Sequence, residues 1–248
     1  MDYQHLRHAR GRGAVSAALR LERLTVCYDG RPAIENISGE FAAGSLTAVM
    51  GGNGAGKTTL LLALAGMIAP AAGRIERPVS AQTLAYLPQE VSLERDFPLN
   101  VAQLVATGLW RRRGALGAIT GQDRDTVGHA LKTVGLEEQA QRGLAALSSG
   151  QFRRALFARL LVQDAALILL DEPFTSVDDE TVARLLSLIL RWREEGRTVI
   201  CALHDEAMAL RYFPWCLLLA KTCAGWGKTA ELLAMSRPVP RLPAESYA

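Results

Sequence analysis

The nine residues Gly51-Gly52-Asn53-Gly54-Ala55-Gly56-Lys57-Thr58-Thr59 constrain this chain more than any other stretch. They follow a short apolar run, Ser45–Met50, that reads as a strand. They precede Lys57–Ile68, which reads as a buried helix ended by Pro70 and Gly73. A strand, a loop of the form G-x-x-x-x-G-K-[ST] and a helix commit the chain to an α/β layout with an anion at the loop. Glycines let successive backbone N–H groups turn inward around a polyphosphate with no Cβ in the way. The helix N-terminus adds partial positive charge. Lys57 brings a full charge to β- and γ-phosphates, and the Thr58 hydroxyl is a hard oxygen ligand for Mg²⁺.

A second chemical site follows from Leu167-Ile168-Leu169-Leu170-Asp171-Glu172-Pro173, an apolar strand ending in two carboxylates. Parallel sheets bind ligands at such strand ends. Asp171 there can hold Mg²⁺, directly or through a water. Glu172, one residue on, points elsewhere and is placed to accept a proton from an attacking water. An acidic pair after a buried strand is common as a plain turn; a phosphate loop earlier in the same chain favours the chemical reading.

Strands alternate with helices along the rest of the chain. Leu19, Leu21, Leu24 and Val26 indicate a strand pair or bulged strand, and Asp29-Gly30 a turn. A strand closes at Tyr86-Leu87-Pro88-Gln89. Helix is expected at Gln151–Val162, Asp179–Glu195 and Glu206–Tyr212, and strand at Ala166–Leu170, Thr198–Leu203 and Cys216–Ala220. In the second of those helices Val182, Leu185, Leu186 and Ile189 share one face. Such alternation implies a largely parallel sheet covered on both faces. Residues 91–150 differ, with helical patterns at Val101–Leu109 and Thr126–Val134 between Gly- and Arg-rich loops, and read as a helical insertion. The expected organisation is a mobile tail over 1–18, a core formed by 19–90 and 151–248, and a helical subdomain over 91–150.

Composition excludes several function classes. Apolar residues are 49% and charged residues 21% of 248, enough for a sizeable core. Residues 1–20 carry Arg7, Arg10, Arg12 and Arg20 against Asp2, which accounts for the whole net charge of +3. The charge-balanced remainder offers no nucleic-acid face. The four cysteines form no CxxC pair, so neither a disulfide framework nor a zinc ribbon is indicated; Cys27 and Cys201 read as core residues. His5 and His8 read as solvated tail, and Arg111-Arg112-Arg113 as a solvated charge run. The longest apolar run, Leu60–Ala69, is well short of the ~18 residues a membrane span needs.

Leu147-Ser148-Ser149-Gly150-Gln151, about 20 residues before Asp171, resembles the LSGGQ signature of ABC-type ATPases. With the phosphate loop, the Asp171-Glu172-Pro173 strand, Gln89 and His204, the resemblance runs from about Leu19 to Met235. It implies a P-loop NTPase (RecA-like) parallel-sheet core with an antiparallel β subdomain and an inserted helical subdomain. It implies an ATPase using ATP and Mg²⁺. Tyr28 then corresponds to the residue that stacks on adenine. Gln89 would touch Mg²⁺ and link the core to the insertion, and His204 would contact the γ-phosphate and position the water. Each of these three has a structural alternative, since a lone Tyr, Gln or His is ordinarily part of the scaffold. Family members pair head to tail, so Ser148, Gly150, Gln151 and Asp178 would act in trans on the partner's ATP. Two residues depart from the pattern: Ser149 replaces a glycine and Gly52 a proline.

PLNVAQLVATGLW after the Gln89 strand, LLLDEPFTSVD and LHDEAMALRYFPWCLLLAKTCAGWG are most similar to ATPases of bacterial zinc and manganese importers, with zinc expected first. That resemblance implies a separate membrane permease, a periplasmic or extracellular metal-binding protein, and a place at the cytoplasmic face of the plasma membrane. The alternative is a soluble ABC ATPase acting on DNA or ribosomes. Those relatives carry an inserted coiled coil or two ATPase halves, neither of which fits in 248 residues. A GTPase or small-molecule kinase would leave Leu147–Gln151 unexplained.

Overall fold

The computed structural model describes residues 17–77, 83–89, 97–110, 114, 117–175 and 177–236. A six-stranded sheet has the order β5-β6-β7-β3-β8-β9. Its members are β3 (Leu46–Met50), β5 (Leu84–Leu87), β6 (Leu167–Asp171), β7 (Thr198–Ala202), β8 (Trp215–Ala220) and β9 (Thr222–Lys228). All pairings are parallel except β8 with β9. Every residue of β3, β6 and β7 is buried, which is why these strands read as unbroken apolar runs. Their side chains alternate between two cores. Ile168 and Leu170 join the core on one face; Leu167 and Leu169 join that on the other.

Helix α1 (Lys57–Ala65) occupies the second core. It packs with a three-stranded antiparallel sheet, order β2-β1-β4, made of β1 (Ala17–Tyr28), β2 (Arg31–Ala42) and β4 (Ala72–Glu76). The first core is covered by α4 (Ser149–Gln163) and α5 (Asp179–Glu194). It continues through α4 into α2 (Val101–Ala106) and α3 (Gly121–Val134), so the helical segment and the sheet share apolar contacts. Helices α6 (Glu206–Tyr212) and α7 (Thr229–Ser236) flank β8 and β9. Among the described residues no helix is long and apolar enough to cross a membrane.

Several local expectations need correction. Helix α1 stops at Ala65, short of Ile68. Gly66 takes φ 75°, its N–H reaches Ala63 O at 3.0 Å and Met67 N–H reaches Leu62 O at 2.9 Å. That left-handed glycine cap ends the helix before Pro70 is reached. For residues 19–26 the bulged-strand alternative is the one observed, with register shifts against β2. Helix α3 starts at Gly121, five residues earlier than its apolar period, because Thr120 and Asp123 form a capping box. Cys201 and Cys216 are buried, whereas Cys27 is half-buried. Ala17 and Ala18, assigned to the tail, open β1. The rest of the tail, with His5 and His8, and Arg111-Arg112-Arg113 lie outside the described residues.

Candidate active site

The phosphate loop leaves β3 and turns back into α1. A Cβ on Gly51 would collide with the Leu219 carbonyl of β8, and one on Gly56 with the Ile34 side chain of β2. Both glycines have positive φ (154° and 101°), so close approach and backbone conformation each require them. Gly52 differs: a Cβ there meets nothing within 4 Å, so the space around this position does not itself demand a glycine. The loop is braced from behind. Lys221, at φ 64° in the β8–β9 turn, donates its N–H to Ala55 O at 3.0 Å, and its carbonyl accepts from Glu35 N at 2.8 Å. One residue thereby ties the loop to both sheets.

Lys57 is 6% exposed and its Nζ donates to Gly51 O at 2.9 Å and Gly52 O at 3.4 Å. The same ammonium lies 3.7 Å from Glu172 Oε1. Glu172 itself has φ 44°, a costly conformation for a residue with a side chain. Its N–H is held by Ala202 O at 3.2 Å. Its Oε2 accepts from Gln89 Nε2 at 2.9 Å and lies 3.9 Å from His204 Nδ1. The structure thus gathers Lys57, Gln89 and His204 around the Glu172 carboxylate.

Asp171 is completely buried at the end of β6. Burial pushes its carboxyl pKa up; the Thr58 hydroxyl bond and the Lys57 charge pull it partway back, while Glu172 adds to the rise. Tyr86 Oη donates to Oδ2 at 3.5 Å, but Oδ1 is buried with no hydrogen-bond partner. A buried carboxylate oxygen without a donor, beside a threonine hydroxyl, is the donor chemistry of a hard divalent cation. These residues therefore fit Mg²⁺, with Thr58 and Asp171 as the oxygen donors and Gln89 close by.

The signature residues form a second cluster. Ser148 caps α4: its Oγ accepts from Gln151 N at 3.1 Å, and Gln151 Oε1 accepts from Ser148 N at 3.0 Å. Asp178 caps α5, accepting from Thr181 N at 2.8 Å and from the Thr181 hydroxyl at 2.9 Å. Those two bonds hold its carboxyl below the usual range. Two helix N-termini thus meet side by side, with Gly150 buried between them and Ser149 exposed. Tyr28 is 47% exposed at the end of β1, ahead of the Asp29-Gly30 turn.

Two residues were missed by sequence reasoning. Tyr86 looked like one more strand residue; only its position facing Asp171 reveals it. Arg153 reads as one charge of an Arg-Arg pair on a helix, yet it is buried and bonded to the carbonyls of Pro88 and Gln89. No sequence signal separates it from the adjacent Arg154, which is half-buried.

The family model described as ABC transporter matches residues 34–175. A protein of Chlamydia pneumoniae named "Probable metal transport system ATP-binding protein" is 36% identical, the match covering 86% of this chain and 84% of that protein. A manganese transport system ATP-binding protein of Synechocystis is 34% identical, over 86% of this chain and 88% of its own. Among solved structures, a proposed metal-chelate type ABC transporter in an inward-facing conformation superposes with a TM-score of 0.77 at 29% identity, covering 86% of this chain and 84% of that one.

Proposed function

The chain belongs to the ABC transporter family and is an ATPase, and from that premise we propose that it powers uptake of a divalent transition metal, manganese first, through a separate membrane permease. The observation that carries the chemistry is the Glu172 carboxylate, placed between Lys57, Gln89 and His204 at the end of a sheet strand beside the phosphate loop. In this reading the loop amides of residues 51–59 and Lys57 bind the phosphates, and Tyr28 stacks on adenine. Thr58, Asp171 and Gln89 would hold Mg²⁺, which when bound would supply positive charge to the phosphate oxygens. Glu172 accepts the proton of the attacking water, and His204 orients that water against the γ-phosphate. Ser148, Gly150, Gln151 and Asp178 complete the partner's site in a head-to-tail dimer. The N-terminus of α4, which carries no carboxylate in its first turn, supports that placement, since such an end favours an anion.

Sequence reasoning put zinc ahead of manganese. The names of the relatives support the opposite order: manganese in Synechocystis and in Bacillus subtilis, the latter 33% identical over 88% of this chain. The transported metal is cargo of the permease and of a binding protein outside the membrane. Action on DNA or ribosomes has no support in those names. The test is transport by vesicles containing the full chain together with a candidate membrane permease. ATP inside should drive uptake of radiolabelled manganese, with excess zinc competing weakly. Uptake of zinc alone would overturn the choice of metal, and ATP-independent uptake would overturn the role.

A further inference from the structure

Strand β5 lies at the edge of the six-stranded sheet, and its last registered pair is Leu87 with Leu170. Beyond that pair the chain leaves the sheet, so the carbonyls of Pro88 and Gln89 lose the ladder as a source of donors. Arg153 supplies them. From the second turn of α4, its Nη1 donates to Pro88 O at 3.3 Å and its Nη2 to Gln89 O at 3.1 Å. The planar fork of a guanidinium spans two successive carbonyls, which a lysine ammonium does poorly.

This arrangement is expensive. Arg153 is 9% exposed, and burying a cation costs several kcal/mol unless acceptors and opposite charge offset it. Burial lowers its pKa, while the Asp171 carboxylate acts in the other direction. An apolar side chain would fill the same space with less penalty, so packing alone does not account for an arginine here. Its position does: α4 begins at the Ser148 cap, and Gln89, whose backbone Arg153 grips, donates its side-chain amide to Glu172 at 2.9 Å.

We propose that Arg153 is a positioning residue: by clamping the Pro88 and Gln89 carbonyls it sets where the Gln89 amide meets Glu172, so the orientation of α4 is felt at the reacting carboxylate. The linkage runs through four groups in contact: the α4 backbone, the guanidinium, the Gln89 main chain and the Gln89 amide. It rests on the reading of Glu172 as the proton acceptor.

Steady-state ATP hydrolysis by the full-length chain tests it, with Arg153→Gln, Arg153→Lys, Gln89→Ala, the double variants and Glu172→Gln. Arg153→Gln should lower kcat about tenfold while KM for ATP stays within about twofold, because the residue acts on geometry rather than on binding. Arg153→Lys should recover part of the loss. In the Gln89→Ala background either Arg153 change should cost nothing further, because its route to Glu172 is already cut. Three results would overturn the proposal: an Arg153→Gln protein with parental kcat, an undiminished loss in the Gln89→Ala background, or a rise in KM that tracks a fall in Tm. Should Arg153→Gln fail to fold, the cycle with Arg153→Lys decides by the same criteria. Glu172→Gln is read by itself; parental hydrolysis there would remove the role of Glu172 without bearing on the coupling between Arg153 and Gln89.

Discussion

A methyl group on Gly150 would stand 2.9 Å from Asp178 Oδ2 and 3.1 Å from Thr181 Oγ1. The glycine of the signature is therefore fixed by the cap of the neighbouring helix in its own chain, before any ligand or partner is considered. Gly150→Ala should push the α5 cap aside and cost about 1–3 kcal/mol, as overpacking generally does. Ser149→Gly, which restores the residue the family pattern has there, alters an exposed side chain and should stay within about 0.5 kcal/mol. Urea unfolding of both variants checks the contrast, and comparable losses would contradict it.

Glu172→Gln removes a proton acceptor while keeping the side chain's size. Hydrolysis should fall by about a hundredfold or more, the usual worth of a positioned base. ATP binding should persist, since Lys57 and the loop amides are untouched. Turnover and equilibrium nucleotide binding, measured on the same preparation, separate the two effects.

Asp171→Asn should make the protein more stable and less active. The buried carboxyl has a raised pKa, so its ionised form costs stability in the folded state at neutral pH. Replacing it should gain about 1 kcal/mol at pH 7, in the range of single stabilising changes. The gain should shrink as pH falls and the wild-type carboxyl takes up its proton. Urea midpoints at pH 7 and pH 4 test the sign; Mg²⁺-dependent hydrolysis should be lost throughout.

Asp178 titrates in the opposite sense. Bonds from the Thr181 N–H and hydroxyl hold its pKa below the ordinary 3.8. Its contribution is thus present above that value and disappears as pH falls through the lowered one. Asp178→Ala should be less stable than the parent at pH 7, and the two should converge in strong acid. A constant difference at every pH would show that the cap acts without its charge.

The parts of this fold that local chemistry dictates were readable from the sequence. The phosphate loop needs its glycines and Lys57 in order, and fully buried β3, β6 and β7 need apolar runs. Strand β2 was not readable, because bulges around Asn36 (φ 52°) and Gly39 (φ 154°) break its period of two. Short β4 at the exterior and glycine-bearing β9 were missed for want of an apolar pattern. At the site, residue types were legible and partnerships were not. The bond from Gln89 to Glu172 joins positions 83 residues apart, and the one from Arg153 to Gln89 joins positions 64 apart. Each depends on sheet order, which places β5 beside β6 under α4.

The grip of Lys221 on Ala55 and Glu35 makes the β8–β9 hairpin a support of the glycine-rich loop. A polypeptide truncated ahead of β8 would retain all of its phosphate-facing glycines, yet the shelf that keeps them curled would be gone. Tolerance to shortening at that end is thus governed by a backbone latch some 165 residues downstream of the loop it steadies.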